Sequence, residues 1–310
     1  MDHNSDNITH DFPPFFRVHD TGRVERYVEH DFLPPSKHPK TGVVSKDVVV
    51  SPRNNVTARI YLPRTESRGR KLPLIIYVHG GGFSIESAFS SRYHNYVGSL
   101  AAESRSVVVS VEYRLAPEHP IPACYEDCWA ATKWVVSHSR VGQGEEPWMT
   151  DHVDFGRVFV AGDSAGANIA HEMVVRSGAE PESGIKIAGM VLIHPFFGNG
   201  NAAKIWDFIC PGTTGPKDPR LYPAAHRKLL SNLRCERVLV CVAEKDLLKE
   251  RGVMYHQALK KSDWNGLVEL FETHGEGHVF HLLEPESQKA PLLMKRVVEF
   301  INKEFVPSLL

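Results

Sequence analysis

The chain has 310 residues, with 36 Lys and Arg against 37 Asp and Glu and a net charge of −1, so no charge excess draws it to nucleic acid or an anionic membrane. Hydrophobic residues at 42% and charged residues at 24% make the mixture of a soluble globular protein and exclude a disordered or fibrous chain. No stretch stays apolar long enough to span a bilayer, and the first residues lack the basic start and apolar run of a secretory signal, so a cytoplasmic location is expected.

The first forty residues lie outside any regular alternation of strands and helices and are a candidate cap or pocket wall (1–40). Short β-branched runs then follow at 48–50, 57–62, 74–78, 107–111, 158–161, 190–193, 238–242 and 267–271. Several are almost continuously apolar, the mark of central strands covered on both faces. Helical patterns intervene at 91–103, 125–137, 165–177 and 250–262, which predicts a mostly parallel eight-stranded sheet flanked by helices. The Gly-, Pro- and Asn-rich stretch 195–223 breaks this rhythm and is the second candidate cap segment. In the last helix Met294, Val297, Val298, Ile301 and Phe305 share one face, as core packing requires. The whole of 1–310 reads as one α/β domain, without repeats or low-complexity tracts.

Five cysteines in a chain this long form no disulfide framework, and Cys124 and Cys128 have no second Cys or His pair placed for zinc. They are expected as free, buried thiols. The Asn7-Ile8-Thr9 and Asn55-Val56-Thr57 sequons have no consequence without a secretory route.

Gly162-Asp163-Ser164-Ala165-Gly166 fits G-x-S-x-G and stands between an expected strand and an expected helix. A nucleophilic serine there must sit on a tight turn, and Gly162 and Gly166 leave the neighbouring strand and helix room to approach. An ordinary serine N-cap would give the same five residues, but a second motif argues against it. His79-Gly80-Gly81-Gly82-Phe83 follows the strand 74–78, from which a glycine loop can aim backbone N–H groups above the serine. We assign Gly81, Gly82 and Ala165 N–H as an oxyanion hole. A phosphate-cradling loop would need G-x-x-x-x-G-K-[ST] or G-x-G-x-x-G, and neither is present.

A serine hydroxyl needs a base, and in this arrangement an acid and a histidine follow the serine in that order. Asp246 lies just beyond the strand 238–242, at the carboxyl end of the sheet where ligands gather. Glu244 is its rival, and its place directly after the strand also suits a structural hydrogen bond. His278 lies in the glycine-rich turn after the last strand, with His274 and His281 nearby. Gly275 and Gly277 interrupt the helix a zinc-binding histidine pair needs, so no metal is expected. The other fourteen of the 17 histidines, His171 and His194 among them, read as surface or satisfied core residues.

Further segments accompany these motifs: 22–26, 41–47, 58–63, Tyr113-Arg-Leu-Ala-Pro-Glu-His119, Tyr125-Glu-Asp127, and the extension of the serine motif through Asn168-Ile-Ala-His171. With them the chain resembles, over nearly its whole length, the plant carboxylesterases of the hormone-sensitive-lipase-like group, in the branch that includes 2-hydroxyisoflavanone dehydratases, tuliposide-converting enzymes and alkaloid cyclases. The resemblance implies the α/β-hydrolase fold with a small cap, a catalytic triad of Ser164, Asp246 and His278, a small-molecule ester as partner, and no cofactor. We expect the ester to enter a mostly apolar pocket near Phe83, Ser84, Trp206, Phe208 and Val279.

The same group includes the gibberellin receptor, which has lost the catalytic histidine; His278 is retained here, and the N-terminus has no evident match to the receptor lid. Dehydratase-like members often carry threonine for the serine and alanine in the glycine loop, whereas this chain has Ser164 and Gly82. Two departures from the family pattern stand out. Glu112 replaces the usual aspartate before Tyr113-Arg114, with packing or an ion pair as its expected role, and 195–218 is shorter than its counterpart. Residues 204–211 still resemble the helical end of that segment.

Overall fold

The computed structural model describes residues 6–64, 69, 71–139, 144–181, 184–198 and 203–303. The first strands are short and partly charged: β1 (Ile8–Phe12), β2 (Phe16–His19) and β3 (Val24–Arg26) form a small antiparallel sheet of their own. The main sheet begins with β4 (Val44–Ser51), β5 (Val56–Leu62), β6 (Leu72–Val78) and β7 (Val107–Glu112), with α1 (Ser91–Ser104) joining the last two. There follow α2 (Ala123–Ser137), α3 (Pro147–His152), β8 (Val153–Asp163), α4 (Ala165–Ala179) and β9 (Ile187–Ile193). After α5 (Ala203–Ile209) and α6 (Arg227–Ser231) the alternation resumes with β10 (Cys235–Ala243), α7 (Lys249–Lys260) and β11 (Leu267–Thr273), then α8 (Phe280–Leu283) and α9 (Ala290–Asn302).

The eight main strands lie in the order β11-β10-β9-β8-β6-β7-β5-β4. From β11 to β7 every pairing is parallel, while β5 runs against both β7 and β4. Ile76, Val78, Val109, Val160, Leu192 and Val240 pack on one face with residues of α2, α4 and α7. Ile75, Val108, Phe159, Val191 and Leu239 pack on the other with α1 and α9. Burial on both faces explains the near-continuous apolar strands. The edge strand β4 carries half-buried Ser45 and Lys46 after Val44 and exposed Asp47 at its centre, so its continuous hydrophobic signal covers only its C-terminal part.

In α9, Met294, Val297 and Ile301 are buried as expected, Val298 is half-buried, and Phe300 joins them; Phe305 lies outside the described residues. All five cysteines are free and buried. Among the described residues no helix is long and apolar enough to cross a membrane.

Both irregular segments are anchored close to the serine turn. In the N-terminal sheet, Phe12 and Phe16 pack against Phe208 of α5, and Arg26 donates to the carbonyls of Ser84 and Ala116 while pairing with Glu118. The other segment is tied to α4 by Asn168, whose amide donates to the carbonyls of Phe196 and Arg220. Inside that segment, Trp206 Nε1 donates to Thr213 Oγ1, Thr213 donates to Asp218, and Arg220 binds Asp218.

Candidate active site

β8 ends against α4 in a turn with almost no free space. Ser164, at the junction, has φ 53° and ψ −119°, a conformation that non-glycine residues adopt at a cost of about 1–3 kcal/mol. The surroundings hold it there: Ser164 N–H donates to the Ile193 carbonyl at 2.9 Å, and the Ser164 carbonyl accepts from Phe196 N–H at 3.0 Å. A Cβ on Gly162 would collide with the Gly166 backbone, and one on Gly166 with the carbonyls of Val78 and His79. The glycines are therefore required by close backbone approach, which brings the start of α4 against the end of β6.

From the carboxyl ends of β10 and β11 two side chains converge on that serine. His278 Nε2 lies 2.9 Å from Ser164 Oγ, and its Nδ1 lies 2.8 Å from Asp246 Oδ2. The second oxygen of Asp246 accepts from Leu248 N–H at 2.8 Å. Burial acts to raise the Asp246 pKa, but the hydrogen bond and charge of His278 outweigh it and hold the group below the ordinary carboxylate value. The Asp246 side chain is 1% exposed and that of His278 35%, so the imidazole alone of this pair meets solvent. Glu244 does what its place after the strand suggested: its Oε2 accepts from Gly275 N–H at 2.6 Å, which braces the turn that carries His278.

The glycine loop is pinned by a network that sequence reasoning did not find. Tyr93 OH accepts from Gly80 N–H and donates to Asp163 Oδ2, each at 2.8 Å, while Tyr77 OH donates to Asp163 Oδ1. Asp163 is buried beside the serine, and burial raises its pKa to about 6 against the two tyrosine hydrogen bonds. His79 stacks on Tyr113, whose hydroxyl donates to the carbonyls of His79 and Gly80. Tyr93 stands in the first turn of the expected helix 91–103, where nothing in the sequence sets it apart from a core aromatic residue. Gly81 and Gly82 have φ of 96° and 58°, and their N–H groups donate to no acceptor among the described residues. The first N–H of α4, on Ala165, has no intrahelical acceptor by geometry.

Glu112 accepts from Ser87 Oγ at 2.9 Å and Ala88 N–H at 2.6 Å, and burial raises its pKa to about 7. Its neighbour His79 is fully buried and pushed down to about 3, hence neutral. The departure from aspartate thus serves hydrogen bonds to the loop before α1.

Of the residues expected in a pocket, Phe83, Ser84 and Trp206 are buried. Phe83 packs edge-on to Phe196 and Trp206. Phe208 and Val279 are half-buried. Phe15, which the sequence did not single out, lies over Gly82, where a Cβ would strike its ring. The expected effect of Gly82→Ala follows: about 1–2 kcal/mol of left-handed strain plus displacement of Phe15, with kcat/KM lowered by at least ~10-fold if the Gly82 N–H is an oxyanion donor. Phe15→Ala in the same chain should recover part of the activity and little of the lost Tm, because the strain at φ 58° remains.

Donor atoms of His194, Asp246 and His278 lie within 4.8 Å of one another, a spacing that a metal could use. Here the His278 nitrogens face Asp246 and Ser164, and His194 Nδ1 accepts the Val279 N–H. His274, by contrast, is exposed beside Glu244 and Glu272.

A serine on a tight strand-to-helix turn at the carboxyl end of a parallel sheet, with an aspartate and a histidine in the loops after two later strands, is the arrangement of an α/β hydrolase. The family model for the alpha/beta hydrolase fold matches residues 75–282, and the chain belongs to that family. It is 43% identical over 314 residues to probable carboxylesterase 5 of Arabidopsis thaliana, covering 95% of this chain and 98% of that one. It is also 41% identical over 318 residues to the 2-hydroxyisoflavanone dehydratase of Glycyrrhiza echinata, covering 96% and 97%. Among solved structures, the hyperthermophilic esterase of the archaeon Pyrobaculum calidifontis superposes with a TM-score of 0.65 at 30% identity, covering 83% of this chain and 84% of the other.

Proposed function

We propose that the chain is a carboxylesterase that hydrolyses small or specialised-metabolite esters through an acyl-enzyme on Ser164. The observation that carries this reading is the continuous line Asp246–His278–Ser164, with hydrogen-bond distances of 2.8 and 2.9 Å. Ser164 Oγ attacks the ester carbonyl carbon while His278 Nε2 takes its proton. Asp246 keeps the imidazole in the tautomer with its proton on Nδ1 and stabilises the cation that forms. The oxyanion is held by the N–H groups of Gly81, Gly82 and Ala165. His278 returns the proton to the departing alcohol, and water then attacks the acyl carbon with the same base, releasing the acid. No cofactor enters this sequence.

The N-terminal sheet and the 195–223 segment act as cap, with Phe15, Phe208 and Val279 at the edge of the ester pocket and Phe83, Ser84 and Trp206 as the packed wall behind. The buried free thiols suit a reducing compartment, in keeping with a cytoplasmic location.

Elimination, as in the dehydratase relative, is the second reading, and it needs no acyl-enzyme. Ester turnover is expected to exceed dehydration of a 2-hydroxyisoflavanone. The check is a panel of p-nitrophenyl and aryl esters assayed beside that substrate. Rapid dehydration with no ester cleavage would replace hydrolysis by elimination at the same site.

A further inference from the structure

His278 sits at the end of an irregular turn, and a shift of about 1 Å would spoil both of its hydrogen bonds. On its N-terminal side the turn is braced by Glu244, through Gly275 N–H, and by Lys245 N–H donating to the Glu276 carbonyl at 2.8 Å. On its C-terminal side the adjoining peptide N–H, that of Val279, donates to the Nδ1 of His194 at 3.0 Å. Val279 itself is left-handed, with φ 47°, a conformation β-branched residues avoid unless held.

His194 is built to hold it. Its own backbone is left-handed at φ 48°, and its N–H donates to the Cys241 carbonyl at 2.8 Å. The residue is 1% exposed, and its ring lies among Phe280, His281 and His278, with centroids 5.6 to 5.9 Å away. Accepting at Nδ1 requires the proton to be on Nε2, so the ring is neutral. Burial, with His281 and His278 nearby, keeps its pKa well below the ordinary value, and Asp246 acts the other way. Nε2 has no hydrogen-bond partner among the described residues, and Nδ1 carries the bond to the Val279 peptide.

We infer that His194 is a positioning residue for the catalytic histidine: its Nδ1 fixes the Val279 peptide, and thereby the approach of His278 to both Asp246 and Ser164. This rests on the triad reading above. The side chain of asparagine places an oxygen where Nδ1 lies, whereas glutamine places its oxygen one bond further out and phenylalanine keeps the ring without an acceptor. The three substitutions therefore separate hydrogen bonding from packing.

The test is steady-state kinetics of parent, His194→Asn, His194→Gln and His194→Phe on one p-nitrophenyl ester, with thermal unfolding to verify each fold. His194→Asn should stay within ~3-fold of the parent. The other two should lose ~10–10² in kcat with KM nearly unchanged, the scale of a misplaced catalytic group. Parent-like kcat in His194→Gln or His194→Phe, or His194→Asn impaired as much as His194→Gln, would overturn the inference. If His194→Phe fails to fold, the order of the asparagine and glutamine variants decides. A fluorophosphonate label on the parent separates the two claims: labelling away from Ser164 removes the triad reading, whereas labelling at Ser164 with indistinguishable variants removes only the role of His194.

Discussion

Ser164→Ala is expected to lower kcat for a short p-nitrophenyl ester by a factor on the order of 10⁶, the scale seen when a triad serine is removed from a serine hydrolase. The substitution deletes one oxygen, whose hydrogen bond among the described residues is the one with His278. The fold should tolerate it. Alanine inherits the strained φ of 53° with the same single Cβ, so Tm should stay near that of the parent. Steady-state turnover and thermal unfolding on the same preparation check both halves. Turnover equal to the parent would mean that Ser164 is not the nucleophile.

The second large effect separates the two carboxylates. Asp246 uses one oxygen for His278 Nδ1 and the other for Leu248 N–H. An asparagine cannot serve both partners: with its oxygen toward Leu248 it forces the wrong histidine tautomer, and turned over it sets an amide N–H against Leu248 N–H. Asp246→Asn is therefore expected to reduce kcat by about 10⁴. Glu244→Gln keeps an acceptor for Gly275 N–H and should change kcat by no more than ~3-fold, a bound set by the small net value of one exposed hydrogen bond. Measuring kcat for both variants decides the matter, and the reverse order would exchange the roles of the two acids.

What the sequence revealed depended on how local the constraint was. The serine turn and the glycine loop were legible because each is contiguous and because close backbone contact admits only glycine at Gly162 and Gly166. The central strands were legible because burial on both faces left them apolar throughout. The small N-terminal sheet was not: β1 is almost wholly exposed, β3 is three residues long, and neither carries a hydrophobic alternation strong enough to read. Nor were Tyr93 and His194 legible as parts of the site. Each acts through hydrogen bonds to residues distant in sequence, Tyr93 to Gly80 and Asp163 and His194 to Val279. His194 looked like any other core histidine until its Nδ1 was seen against the peptide that follows His278.

The central claim is that an acyl group passes through Ser164, and the most direct measurement is mass mapping after brief exposure of the intact protein to a fluorophosphonate or to a slowly turned-over ester. The expected result is one added group on the peptide containing Gly162-Asp163-Ser164, absent from Ser164→Ala and strongly slowed in Asp246→Asn. Ester turnover with that peptide unmodified, or with the label on another residue, would contradict it.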